Sequence, residues 1–162
     1  MKFLITGHTR GIGKAIYSKF GGIGLSKSTG FDISQDDITP YLKNCDVFVN
    51  NAYDQRNPWS QVKLIYQAKT TPKQIVIGSV ASDFAKWNNR ALDYSSLKLS
   101  LEASCFQLFN QGLDITLIKP GYVDTDAVAD LEVEKIEPDY IANLIEWILK
   151  QPHRIKEITV AV

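Results

Sequence analysis

Tyr94 and Lys98 stand four residues apart in Tyr94-Ser95-Ser96-Leu97-Lys98, which puts both on one face of a helix. A phenol titrates near about 10, too high for efficient proton exchange at neutral pH, and a neighbouring ammonium favours the phenolate. The pair can therefore act as a general acid or base. Read alone, such a pair is more often a tyrosine partly in the core beside a lysine that snorkels. Ser79 follows the apolar run Gln74 to Gly78, where its hydroxyl could hold a ligand or cap a turn. A second constellation opens the chain: Thr6-Gly7-His8-Thr9-Arg10-Gly11-Ile12-Gly13, directly after Phe3-Leu4-Ile5. A strand, a glycine turn and a helix start in that order allow backbone N–H groups to receive a phosphate. The spacing is G-x-x-x-G-x-G, which differs from the ordinary G-x-G-x-x-G fingerprint.

The elements that must position these residues alternate. Apolar runs at Lys2 to Thr6, Ile23 to Ser26, Asp46 to Val49, Gln74 to Gly78, Asp114 to Ile118 and Ile158 to Val162 read as strands. Helical spacing appears from Ile12 to Phe20, from Pro58 to Lys69, from Tyr94 to Asn110 and from Pro138 onward, with a shorter helix expected within Gln35 to Lys43. Alternation of this kind argues for a parallel sheet covered on both faces. Only four residues separate Ser26 from Phe31, whereas a parallel crossover needs about a dozen. Phe31-Asp32-Ile33 is therefore expected as a turn or stub beside the sheet edge. In such a sheet, ligands bind outside the carboxyl ends of the strands. The glycine turn, Ser26-Lys27-Ser28, Asn50-Asn51-Ala52, Ser79 and Pro120 to Thr125 all fall at such ends.

Composition narrows the field. The chain has 162 residues, enough for one domain with its own core. Its 18 basic and 18 acidic residues cancel, which favours neither nucleic acid nor a membrane surface. The longest apolar runs fall short of a membrane span, and the first strand leaves no expected room for a signal peptide, so the expected address is the cytoplasm. Cys45 and Cys105 lack metal-ligand spacing and are expected reduced and buried, and no metal site is expected.

Together these residues resemble the short-chain dehydrogenase/reductase family over nearly the whole chain. Thr6-Gly7 through Gly11-Ile12-Gly13 is similar to its T-G-x-x-x-G-I-G, Asp32-Ile33 to its adenine-pocket Asp-Val, and Val49-Asn50-Asn51-Ala52 to V-N-N-A-G. Ile77-Gly78-Ser79 resembles the catalytic-serine strand, Tyr94 to Lys98 the Y-x-x-x-K motif, and Pro120-Gly121-Tyr122-Val123-Asp124-Thr125 the P-G-x-V-x-T motif. The resemblance implies a Rossmann-like, doubly wound parallel sheet of about six main strands with reduced crossover helices. It implies a nicotinamide dinucleotide across the strand ends and hydride transfer to or from a small carbonyl or alcohol carbon. Tyr94 would carry the proton, Lys98 would bind the nicotinamide ribose and lower the tyrosine pKa, and Ser79 would hold the substrate oxygen. Gly7, Thr9, Arg10, Gly11, Ile12, Gly13, Ser26, Lys27, Asp32, Ile33, Asn50, Asn51, Ala52, Pro120 and Gly121 would line the cofactor, with Val123 and Thr125 facing its carboxamide.

The second strand ends in Leu25-Ser26-Lys27-Ser28 without a carboxylate, and Arg10 precedes Gly11, so NADP(H) is expected over NAD(H). Several features depart from the family. The family's relay asparagine has no counterpart in Val62 to Tyr66, where Lys63 falls nearest, and Tyr53 replaces a glycine and is expected to crowd the adenosine side. The segment Asp126 to Glu137 is short for a substrate lid, which suggests an open site. Leu99, Ala103, Phe106 and Phe109 form a second apolar stripe that suggests a homodimer through the 94–110 helix. The competing readings are a cofactor-binding regulator or sensor without turnover, and an epimerase or dehydratase using the same tyrosine and lysine.

Overall fold

A computed structural model describes residues 1–87 and 92–162. Six strands form one parallel sheet in the order β2-β1-β3-β4-β5-β6. They are β1 (Phe3–Thr6), β2 (Ile23–Leu25), β3 (Val47–Asn50), β4 (Lys73–Ile77), β5 (Ile115–Pro120) and β6 (Glu157–Val160). The helices are α1 (Gly11–Phe20), α2 (Thr39–Leu42), α3 (Ser60–Gln67), α4 (Ala81–Trp87), α5 (Leu92–Asn110) and α6 (Pro138–Leu149). The expected doubly wound α/β architecture with six strands is present. None of the helices among the described residues is long and apolar enough to cross a membrane.

The four inner strands β1, β3, β4 and β5 are buried at nearly every position because both faces are covered, and the period of two divides their side chains between two cores. Phe3, Ile5, Val47, Val49, Ile75, Ile77 and Ile118 face α1 and α6, where Ile16, Ile141, Ile145 and Ile148 meet them. Leu4 and Phe48 face the other way, with Leu64 of α3 and Leu42 of α2. Val76, Ile115 and Leu117 complete that face against Ile65, Leu101, Cys105 and Leu108. Both cysteines are free and buried.

Between β2 and β3 the chain makes no crossover helix followed by another strand. A 3₁₀ turn at Lys27–Thr29 leads into a segment whose Phe31 and Ile33 are buried without joining the sheet. Burial of each gains roughly 1.5–3 kcal/mol, enough to hold the segment without ladder hydrogen bonds. The expected short helix contracts to α2, because Asp37 caps the backbone at Thr39 and Pro40 sits in the first turn.

Helix α4 is an element the sequence pattern did not disclose. It is tied down by charge: Lys119 Nζ, only 4% exposed, lies 2.8 Å from Asp83 Oδ1 and 2.9 Å from Glu102 Oε2. Ser82 Oγ donates to the same Glu102 oxygen at 2.7 Å. These contacts join α4, α5 and β5, and Glu157 at the start of β6 stands 3.8 Å from the ammonium. On the outer face of α5, the stripe expected to pair with a second copy is partly covered by the chain's own cations. Lys156 Nζ sits 3.8 Å from the Phe106 ring and Arg154 stacks 4.6 Å from Phe109, while Leu99 is half-buried and Ala103 exposed.

Candidate active site

The strand order reverses between β1 and β3, and the crevice beyond their carboxyl ends is where such sheets bind ligands. Gly7 and Gly11 have φ of 74° and 52°, a region that disfavours residues with a Cβ. A Cβ on Gly13 would overlap the Gly7 carbonyl oxygen and lie 2.6 Å from Asn51 Nδ2, so helix and turn touch at backbone distance. Arg10 occupies the N-cap of α1 but supplies no side-chain cap, which leaves the first amides of a ten-residue helix for an anion. Thr125 borders the same turn, its methyl lying where a Gly11 side chain would go. Ile12 packs into the core beneath.

Asn51 anchors the crevice floor. Its Nδ2 donates to Thr6 O at 3.1 Å and Gly7 O at 3.4 Å, and the backbone N–H groups of Asn51 and Ala52 both donate to Thr6 Oγ1 at 3.1 Å. Asn50 turns inward instead: it is fully buried, and its Nδ2 donates 2.8 Å to the Gln61 carbonyl. It supports the site from behind and does not line the crevice.

At the end of β2 a hydroxyl cluster closes the other side of the glycine turn. Ser26 Oγ lies 2.9 Å from Ser28 Oγ, which donates 3.1 Å to Thr9 Oγ1. Lys27 pairs with Asp32 at 2.6 Å and with Asp54 at 3.7 Å, so its charge is already met. Asp32 also accepts from the Ser34 N–H and hydroxyl, and these bonds hold its carboxyl far below the usual carboxylate range. Ile33 is core. Arg10 is exposed, and among the described residues it has no ion pair.

The residues expected to do acid–base work lie near the ends of β4 and β5. Ser79 Oγ accepts the Ala81 N–H at 3.1 Å, and its hydroxyl is near enough to the Tyr94 phenol to favour the phenolate. Pro120 receives Val80 N–H, and Gly121 N–H reaches Val160 O, which places the Pro120-Gly121 bend beside Ser79. Val123 is buried and bridges to Ile136, while the segment after it holds a single 3₁₀ turn, Asp126–Val128. Tyr94 is 37% exposed. Lys98, one turn further along α5, is 5% exposed. Burial draws the Lys98 ammonium down to about 8, and burial pushes the Tyr94 phenol above its ordinary value against the opposing effect of the Ser79 hydroxyl. The expectation that Lys98 lowers the Tyr94 pKa is therefore not met in the free protein, because desolvation dominates both groups.

Two residues around Lys98 differ from the sequence reading. Tyr53 does not crowd the adenosine side. Its ring stands edge-on to Tyr94 at 5.4 Å, and Lys98 Nζ lies 5.0 Å from its centre. Lys63, expected nearest the relay position, is exposed on α3. The contact is made by Gln61, whose Oε1 accepts from Lys98 Nζ at 2.8 Å. Gln61 is 2% exposed, and a buried glutamine beside two apolar helix positions was the available signal.

No family model matches the sequence, and no curated protein matches it. Solved structures do. An alcohol dehydrogenase from the archaeon Thermococcus sibiricus complexed with 5-hydroxy-NADP is 21% identical, with 99% of this chain and 96% of that chain covered and a TM-score of 0.72. The closed form of a serine dehydrogenase complexed with NADP+ is 19% identical, covering 99% and 94%, with a TM-score of 0.77. A 3-alpha-hydroxysteroid dehydrogenase from Pseudomonas sp. B-0831 complexed with NADH is 15% identical, covering 100% and 95%, with a TM-score of 0.74. The chain has the Rossmann-like fold of the short-chain dehydrogenases.

Proposed function

We propose that the chain is an NADP(H)-dependent oxidoreductase of short-chain dehydrogenase/reductase type, acting on a small carbonyl or alcohol. The observation that carries this reading is that the Tyr94 phenol lies within electrostatic reach of the Ser79 hydroxyl and one helical turn from the buried Lys98 ammonium, whose Nζ is 5.5 Å from the centre of the Tyr94 ring. The uncapped start of α1, the Gly7 and Gly11 turn and Asn51 suit a pyrophosphate, and Lys98 would hold the nicotinamide ribose. When bound, the nicotinamide supplies or accepts the hydride. Within the chain, Ser79 would orient the substrate oxygen and Tyr94 would give it a proton. A phenol raised above its ordinary value is protonated at neutral pH and can serve as the proton donor.

The preference for NADP(H) is supported by the exposed Arg10 and by the Ser26, Ser28 and Thr9 hydroxyls, with Lys27 contributing less because Asp32 and Asp54 already neutralise it. A dimer through α5 would rest on Leu99 and Ala103, and sedimentation equilibrium tests it. The test of function is a screen of carbonyl and alcohol compounds followed by NADPH absorbance, with Tyr94→Phe as the blank. Turnover lost in Tyr94→Phe while NADPH still binds is the expected result. Turnover that survives the substitution would refute the assigned chemistry, and tight NADPH binding without turnover on any compound would favour a sensor.

A further inference from the structure

We propose that Gln61 is the positioning residue for Lys98, a neutral side-chain acceptor that fixes the ammonium beside Tyr94 and ends the inward hydrogen-bonded path at main-chain carbonyls. The inference rests on the reading of Tyr94 and Lys98 as the working pair.

The hydrogen bonds fix which way the amide points. Gln61 Nε2 donates to Asn50 O at 3.2 Å and Ile77 O at 2.9 Å, so both N–H bonds go to carbonyls that can only accept. Oε1 must therefore face Lys98 Nζ. The Gln61 main-chain carbonyl in turn accepts from Asn50 Nδ2 at 2.8 Å. One side chain on α3 thus bonds to the ends of β3 and β4 and to α5. Asn51 follows Asn50, Ser79 stands two residues beyond Ile77, and α5 carries Tyr94 and Lys98.

A carboxylate at this place would neutralise Lys98, whereas an amide holds it and leaves its charge available. The groups facing Lys98 from other directions are Tyr53 on the loop after β3, Tyr94 on its own helix and Cys105 one turn or two further along α5. Burial pushes all three up, so none is ionised at neutral pH. Glu102, the nearest carboxylate along α5, bonds to Lys119. An amide neither gives nor takes a proton at neutral pH, and beyond it lie two backbone carbonyls. Protons for Tyr94 then arrive from the exposed side of its ring, not along Lys98.

The test titrates the Lys98 ammonium in the full chain without any ligand, by NMR of ε-labelled lysine, the resonance being assigned by its loss in Lys98→Met. Gln61→Glu should move the midpoint up by about one pH unit or more, because it places an anion at hydrogen-bond distance. Gln61→Met should move it down, because the charged form loses its acceptor. Displacement in opposite directions supports the assignment, and a merely structural residue would change the melting temperature alone. A midpoint common to all three proteins overturns it. If Gln61→Glu does not fold, Gln61→Met decides by the same criterion. Failure here leaves NADPH turnover untouched, while absence of turnover would sink the enzyme reading and leave the titration standing.

Discussion

Lys98→Met should stabilise the protein in a pH-dependent way. The ammonium is 5% exposed and burial lowers it from 10.5 to about 8, a difference worth about 3 kcal/mol. The sign follows from proton binding. Below about pH 8 both folded and unfolded chains hold the proton, and folding carries the full cost of burying the charge. Between about 8 and 10.5 the unfolded chain binds more protons, so wild-type stability rises with pH, and above that window the cost is gone. Methionine removes the charge but leaves Gln61 Oε1 without its donor, which costs about 1–3 kcal/mol at every pH. At pH 7 the variant should therefore be as stable as wild type or up to about 2 kcal/mol more stable. Its advantage should fall by about 3 kcal/mol by pH 10.5. Urea unfolding of both proteins at pH 7, 8, 9 and 10 measures this, and titration of all other groups cancels in the difference. A wild-type-to-variant difference that stays constant across the series would refute the buried charged lysine. Stability gained by deleting Lys98 is the trade expected if, as proposed, it is a working residue.

Two further substitutions probe the frame. Gly13→Ala forces a Cβ into the Gly7 carbonyl and against Asn51 Nδ2, and since neither backbone can yield it should cost about 2 kcal/mol and lower Tm by about 4–8 °C, with loss of NADPH binding. An unchanged melting curve would show that helix and turn are not in backbone contact. Lys119→Met should destabilise by about 3–5 kcal/mol, because Glu102 loses a buried cationic partner. Its carboxylate partners raise Lys119 above 10.5 against the effect of burial, so this contribution is fully present below that pH and lost as pH rises through the folded value. Urea unfolding should give the same deficit at pH 6 and pH 9, and a deficit that vanishes by pH 9 would contradict the assignment.

The six strands were legible because each reads as a largely apolar run of four or five residues, and the inner ones must be covered on both faces whatever the tertiary detail. The missing crossover was legible from chain length alone, since no helix fits between Ser26 and Phe31. Helix α4 was not, because Ala81–Trp87 shows little apolar periodicity and is held by Asp83 reaching Lys119, 36 positions along the chain. The same holds for the surroundings of Lys98. The motif fixed the four-residue spacing of Tyr94 and Lys98, but Gln61 lies 37 positions earlier and its side chain looks like the polar face of a helix until the fold turns it inward. Tyr53 was expected on the wrong side of the crevice for a related reason: a residue that ends a strand fixes where the backbone emerges, not which neighbour its ring covers. The double pairing of Lys27 was not legible, because Asp54, its second partner, lies 27 positions along the chain.

The two buried lysines make the clearest argument for which part of the molecule is frame and which is site. Lys119 and Lys98 are buried to nearly the same degree, at 4% and 5% exposure, yet they are perturbed in opposite directions. Carboxylates meet Lys119 at 2.8 and 2.9 Å, so its charge is spent on holding α4 and α5 to the sheet. Lys98 meets an amide oxygen and two phenol rings, which orient an ammonium without neutralising it. A fold selected for stability alone would not lose by replacing Lys98, since the Gln61 amide and the two rings only partly offset its burial. Retaining that charge makes physical sense if something that enters the crevice, rich in hydroxyl groups or developing negative charge, provides the missing partner. Gln61 and Tyr53, both departures from the motif pattern, converge on this one atom, which ties them to the chemistry at Tyr94 more closely than to the packing of α3 or the loop after β3.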